Sequence, residues 1–194
     1  MIKVTPRLLA LIPLAVGINL ALGQFAAAVA LPVFLDTVGT ILVATLLGLW
    51  PALLTGLVSQ LAFTVITGNA VWLAFLPVQL AVGACAAFAA RQAFFRSTWR
   101  AGAAGLALGG IAATLSWPIA YLAFGGVTAG GVTVVTTVLS GMGMPLKWAV
   151  LAASLSNDLL DKTVSFLLVR VVLVSLPARA AARFPGAGRA LGRA

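Results

Sequence analysis

No Asp, Glu, Lys or Arg occurs at residues 37–90, and none at 101–146. Uncharged runs of that length restrict the fold more than any other feature of the chain. The hydrocarbon core of a bilayer is about 30 Å thick, and a helix crosses it with roughly 20 apolar residues. The first run alone has room for about two or three crossings. Backbone groups in lipid must be paired within the segment or around a closed barrel, so spanning segments are helices or barrel strands. The period-two alternation of barrel strands is missing. The expected fold is all-α, an integral membrane bundle. Composition agrees: 62% of residues are apolar and 8% charged, against about 25% charged in soluble domains.

The residue inventory excludes several function classes. There is no His, which removes imidazole acid–base chemistry, Ser/His/Asp triads and His-based zinc sites. Cys85 is the single cysteine and lies in an apolar run, leaving no disulfide or thiolate metal site within one chain. No glycine loop ends in Lys-Ser or Lys-Thr, and Gly130-Gly131 lacks the strand–turn–helix setting of a phosphate cradle. No metal, cofactor or catalytic activity is expected. The net charge of +9 reads as topogenic, since cytoplasmic loops collect Lys and Arg, and no nucleic-acid partner is expected. Ala and Arg predominate while Lys is rare, which points to a GC-rich bacterial genome.

Along the chain, Met1–Arg7 is basic and imitates a signal peptide, but the apolar stretch Leu8–Ala30 outruns a signal core. It is read as a retained first helix, about Arg7 to Ala30, ended by Leu31-Pro32. Asp36–Leu49 is a short second helix with Asp36 or Thr37 placed to cap it. Trp50-Pro51 marks a turn, and Pro51–Ile66 is the third helix. Thr67-Gly68-Asn69 is a turn, Ala70–Phe95 the fourth helix and Ala101–Phe124 the fifth, with a bend at Pro118. Asp158–Leu176 is the last span, closed by Pro177. Residues 1–177 thus form a single six-helix domain, and 178–194 a basic, frayed tail.

Charge sets the count of six. With Met1 in the cytoplasm, that side receives Lys3, Arg7, Arg91, Arg96, Arg100, Arg179, Arg183, Arg189 and Arg193. The exterior receives Lys147, Lys162, Asp36, Asp158 and Asp161. A further crossing over Val132–Leu155 would put the basic tail outside, against the positive-inside bias. The glycine-rich segment 125–157 is therefore expected as an external loop with one or two short or re-entrant helices, Leu146–Leu155 among them. Such backbone is tolerated only against protein or a wet cavity, which suggests a pocket near the outer face.

Small residues recur at helical spacing: Gly17 and Ala21; Ala81, Cys85 and Ala89; Ala101, Gly105 and Gly109. They permit close helix packing within the chain, or docking of a partner membrane subunit. The strongest polar feature is Ser156-Asn157-Asp158-Leu159-Leu160-Asp161-Lys162, where Asp158 and Lys162 are spaced to pair. It reads either as a capped helix start with acids favoured by the dipole or as the lining of a substrate pocket. Asp36 reads as a cap or as an acceptor for a ligand donor. Asn69 and Trp72 share an external link, and Trp117 and Tyr121 are one turn apart, as interfacial anchors or as a stacking platform. Asn19, Gln60 and Gln79 are placed to bond across helices, and Arg170 to snorkel.

Three segments carry a resemblance: Leu31-Pro-Val-Phe-Leu-Asp-Thr-Val-Gly-Thr40, Leu47-Gly-Leu-Trp-Pro-Ala-Leu-Leu-Thr-Gly56 and Ser156-Asn-Asp-Leu-Leu-Asp-Lys-Thr163. With the six-helix layout they make residues 7–177 resemble the substrate-binding S component of energy-coupling factor (ECF) transporters. The resemblance implies capture of a vitamin or related micronutrient near the outer face of the bacterial plasma membrane. It also implies work with a membrane coupling subunit and two cytoplasmic ATPases, and delivery by toppling in the bilayer. The family's pocket positions fall here on Asp36, Asn69, Trp72, Gln79, Trp117, Tyr121, Asn157, Asp158 and Asp161. The family's docking motif on the first helix is matched imperfectly by Gly17-Ile-Asn-Leu-Ala21. A membrane sensor or scaffold domain without transport is the alternative, favoured by a fused cytoplasmic domain, whereas 17 residues follow Pro177. A secondary transporter is the third reading, and the internal repeats expected of that class are not evident. Three external acids against two basics lean toward a neutral or cationic ligand.

Overall fold

A computed structural model of the chain describes residues 10–29, 31–128 and 131–193. These form helices and turns, with no strand among them. The helices are α1 (Leu11–Ala28), α2 (Val38–Leu47), α3 (Leu49–Thr67), α4 (Val71–Ala74), α5 (Leu76–Arg91), a 3-10 turn (Phe94–Arg96), α6 (Thr98–Phe124), α7 (Gly131–Gly141), α8 (Leu146–Ser175), α9 (Ala178–Ala181) and α10 (Pro185–Ala190). Of these, α1, α3 and α6 are long and apolar enough to cross a membrane. The shorter α2, α5 and α7 are also apolar.

Polarity is distributed as lipid requires. Leu14, Phe25, Val65, Leu122 and Val171 are more than half exposed, while Asn19, Ser59, Gln60, Gln79 and Asp161 are buried. Asn19 shows why the interior is polar. Its Nδ2 donates to Thr40 Oγ1 and to Ser59 Oγ, both at 2.9 Å, and its Oδ1 accepts the Gly39 N–H at 2.7 Å. One amide thereby ties α1, α2 and α3 together, as expected of interhelical glue in a bilayer. Glycines set the closest approaches. A Cβ at Gly105 or Gly109 of α6 would stand 2.6 Å from the Cα of Thr163 or Leu159 of α8, so only glycine lets these two backbones touch. Ala101, one turn earlier, is fully buried. Gly17 and Ala21 behave differently: both are exposed on α1, and Gly17 has open space around it.

Several helix ends follow the sequence signals. Gly68 and Gly125, both left-handed, terminate α3 and α6 where turns are expected. The α2–α3 break falls at Gly48 (φ 90°) and not at Trp50-Pro51; Pro51 sits in the first turn of α3, where its missing N–H leaves no gap in the ladder. The expected fourth helix is divided at Phe75, because Pro77 occupies the opening turn of α5 and cannot extend a helix from α4. The expected limits of the first helix, Arg7 and Ala30, lie outside the described residues, as does Lys3.

The largest correction concerns the last span. Leu146–Leu155 and Asp158–Leu176 are one continuous helix of 30 residues, about 45 Å long. Ser156 and Asn157 read locally as a helix start. Here Ser156 Oγ and Asn157 Nδ2 instead donate back to the Ala153 carbonyl, at 3.0 and 2.9 Å, a pattern that occupies them within a helix. Asp158 and Asp161 therefore stand in mid-helix and cap nothing. Asp36 makes no cap either: Thr37 precedes α2 without a side-chain capping bond. The tail is a second correction. It folds into α9 and α10, with Ala187 and Ala190 fully buried. Gly186 lies against the Thr45 and Leu46 carbonyls so closely that a Cβ would collide with them. The tail packs under α2 beside Ala93 and Arg96, covering the Arg-rich end of the bundle.

Candidate functional site

Six helices and three links enclose a cavity with about 610 Å³ of atom-free space, its mouth included. It lies in the half of the bundle away from the Arg-rich end. α5 and α6 show this: α5 contributes Val78 and Gln79, from the end opposite Arg91, and α6 contributes Ser116 and Ala120, from the end opposite Arg100. α8 supplies Ser154, Asp158 and Lys162, a stripe at four-residue spacing on one face. α3 gives Gln60, α4 gives Val71 and Trp72, and α7 gives Val132. The link before α2 adds Phe34, Asp36 and Thr37, Phe75 adds a second aromatic wall, and Thr128 stands in the link before α7.

The three acids of the chain converge here, but they do different work. Asp161 is structural. Its Oδ1 accepts the N–H groups of Phe34 and Leu35 at 2.9 and 2.7 Å, and its Oδ2 pairs with Lys162 Nζ. Leu35 is in the left-handed region (φ 56°), a conformation that costs a branched residue roughly 1–3 kcal/mol. The two charge-assisted bonds to Asp161 hold it there. The expected Asp158–Lys162 pairing is replaced by this Asp161–Lys162 pair. Asp158 accepts one bond, from Ser116 Oγ at 2.6 Å. Among the described residues Asp161–Lys162 is the ion pair, so Asp36 and Asp158 have no cation in direct contact.

Three further residues of the cavity wall each carry a buried polar atom that lacks a hydrogen-bond partner among the described residues: Thr37 Oγ1, Gln60 Oε1 and Ser154 Oγ. Each belongs to a residue no more than 2% exposed. An unsatisfied buried polar group costs about 1–3 kcal/mol, so an occupant that completed this bonding would stabilise the site.

Of the residues singled out in the sequence, the cavity wall brings together Asp36, Trp72, Gln79 and Asp158. Gln79 Nε2 donates to the Asp36 carbonyl at 3.2 Å, which fixes the link. Trp72 stacks on Phe63 with ring centroids 4.3 Å apart. Asp161 stands behind the wall as its brace. Asn157 is buried next to Gly131, with its Oδ1 unpartnered among the described residues. Asn69 is exposed and accepts the Val71 N–H at 3.0 Å, a turn contact at the start of α4. Trp117 and Tyr121 form a tilted pair 6.3 Å apart, half-buried and off the wall. Lys162, Ser116, Ser154, Thr37 and Phe34 were not singled out as site residues. The signal for Ser154 and Lys162 was present as the i, i+4, i+8 register with Asp158, legible once α8 is read as a single helix. No family model, curated protein or solved structure matches the chain.

Proposed function

We propose that this chain is a substrate-capture subunit of the energy-coupling factor type, which binds a micronutrient in the cavity and delivers it through a membrane coupling subunit driven by two cytoplasmic ATPases. The observation that carries the reading is the cavity wall itself: among the described residues its carboxylates have no contacting cation and buried polar atoms of its residues have no partner, in a chain with no His. That chemistry suits reversible binding better than bond making.

In this reading α1, α2, α3, α5, α6 and α8 are the six crossings of a bacterial plasma membrane, with both termini in the cytoplasm. The positive-inside bias supports it, since Arg91, Arg96, Arg100 and the basic tail gather at one end and the cavity lies toward the other. α2 has ten residues, about 15 Å of helix, and the non-helical link before it completes the passage. Irregular backbone at that depth needs internal partners, and Asp161 and Gln79 supply them. The exposed small residues Gly17 and Ala21 fit a docking face for the coupling subunit. Gentle purification from native membranes tests the proposal. It is expected to yield the coupling subunit and ATPases together with a small molecule identifiable by mass spectrometry. Recovery with a signalling partner and no small molecule would overturn it in favour of a sensor domain.

A further inference from the structure

We infer that the ligand captured in this cavity is a small organic cation, an ammonium or cationic heteroaromatic compound bearing N–H donors; the inference rests on the capture reading. Among the described residues three carboxylates share a single ammonium at the site, and that ammonium is already paired with Asp161. Asp36 and Asp158 therefore face the cavity with charge to be compensated, and burial makes an uncompensated carboxylate expensive. Gln60 Oε1 is a pure acceptor, 2% exposed and unpartnered among the described residues. A ligand N–H satisfies it, whereas a ligand carboxylate or phosphate would repel it and both acids. A bare metal ion fits poorly, because the carboxylates do not close into a group able to hold one among the described residues, and Asp161 is spent on Lys162 and two backbone N–H groups. Trp72 and Phe34 add aromatic surface to the same wall, which attracts a cation and also accepts a flat ring.

The test uses the full chain in nanodiscs and three probes of one shape: benzylammonium, benzyl alcohol and benzoate, each measured by calorimetry. Benzylammonium is expected to bind at least tenfold more tightly than the alcohol, with benzoate weakest. Asp36→Asn and Asp158→Asn are each expected to weaken benzylammonium at least tenfold. Gln60→Leu, which removes no side-chain bond made among the described residues, should weaken it severalfold even if a carboxylate variant fails to fold. Benzoate or the alcohol binding as tightly as benzylammonium would overturn the inference. Mass spectrometry of compounds released from the wild-type chain separates the two levels of the argument. A released anion, with no probe bound, would overturn the cationic class and leave capture standing; nothing released and no probe bound would overturn both.

Discussion

The division of labour among the acids makes a quantitative claim about Lys162. The residue is 2% exposed, and its ammonium lies among Asp161, Asp158 and Asp36. Lys162→Met leaves three carboxylates with no cation, and breaking a buried pair in this way costs about 3–5 kcal/mol. Asp161→Asn is milder. The Asn oxygen still accepts from Phe34 and Leu35, and Lys162 still faces two other carboxylates, so the loss is about 3 kcal/mol or less. The double variant restores the charge balance of the wild type, since one acid and one base leave together. It should therefore be less destabilised than Lys162→Met alone, with a coupling free energy of about 1–3 kcal/mol. Titration with sodium dodecyl sulfate in mixed micelles, followed by fluorescence of the five tryptophans, measures all four corners of the cycle. Additive single and double effects would show that the two side chains do not act as a pair and would refute the Asp161–Lys162 bridge as a source of stability.

Other outcomes follow from the same contacts. Gly109→Ala places a methyl 2.6 Å from the Leu159 Cα and should cost about 1–3 kcal/mol in the same unfolding assay, while Gly110→Ala, which meets open space, should be neutral or gain up to about 1 kcal/mol. Gln60→Leu should raise the stability of the ligand-free chain by about 1 kcal/mol, because it removes an unsatisfied buried oxygen, while lowering retention of the co-purified small molecule. Trp72→Ala should lower that retention at least tenfold, and Trp117→Ala should leave it within about twofold, by mass spectrometry against an internal standard.

Much of the architecture was legible because lipid leaves few choices. Long uncharged runs specify apolar helices, and Gly68 and Gly125 end them where turn chemistry says they must. What misled was local polarity read without depth. Ser156-Asn157-Asp158 looks like a helix start when water is the assumed surroundings. In a buried setting the same side chains turn back to the Ala153 carbonyl and the helix runs on. That error hid the Ser154–Asp158–Lys162 stripe. Asp36, Trp72, Gln79 and Asp158 were legible as a group because polar and aromatic residues are sparse in this chain. Trp117 and Tyr121 were drawn in by their spacing, which reports adjacency on α6 but not the direction that face points. The tail looked frayed because it is mostly Gly, Ala and Arg, yet small residues are what allow α10 to lie against the α2 carbonyls.

The account stands on a ligand chamber open to the cell exterior and lined by Asp36 and Asp158. Thr128 borders that chamber, so labelling of Thr128→Cys in a Cys85→Ala background measures its access directly. A membrane-impermeant thiol reagent should modify this cysteine in intact cells, and the compound released from the purified protein should block the reaction. Modification only in inside-out vesicles, or labelling indifferent to that compound, would contradict the account.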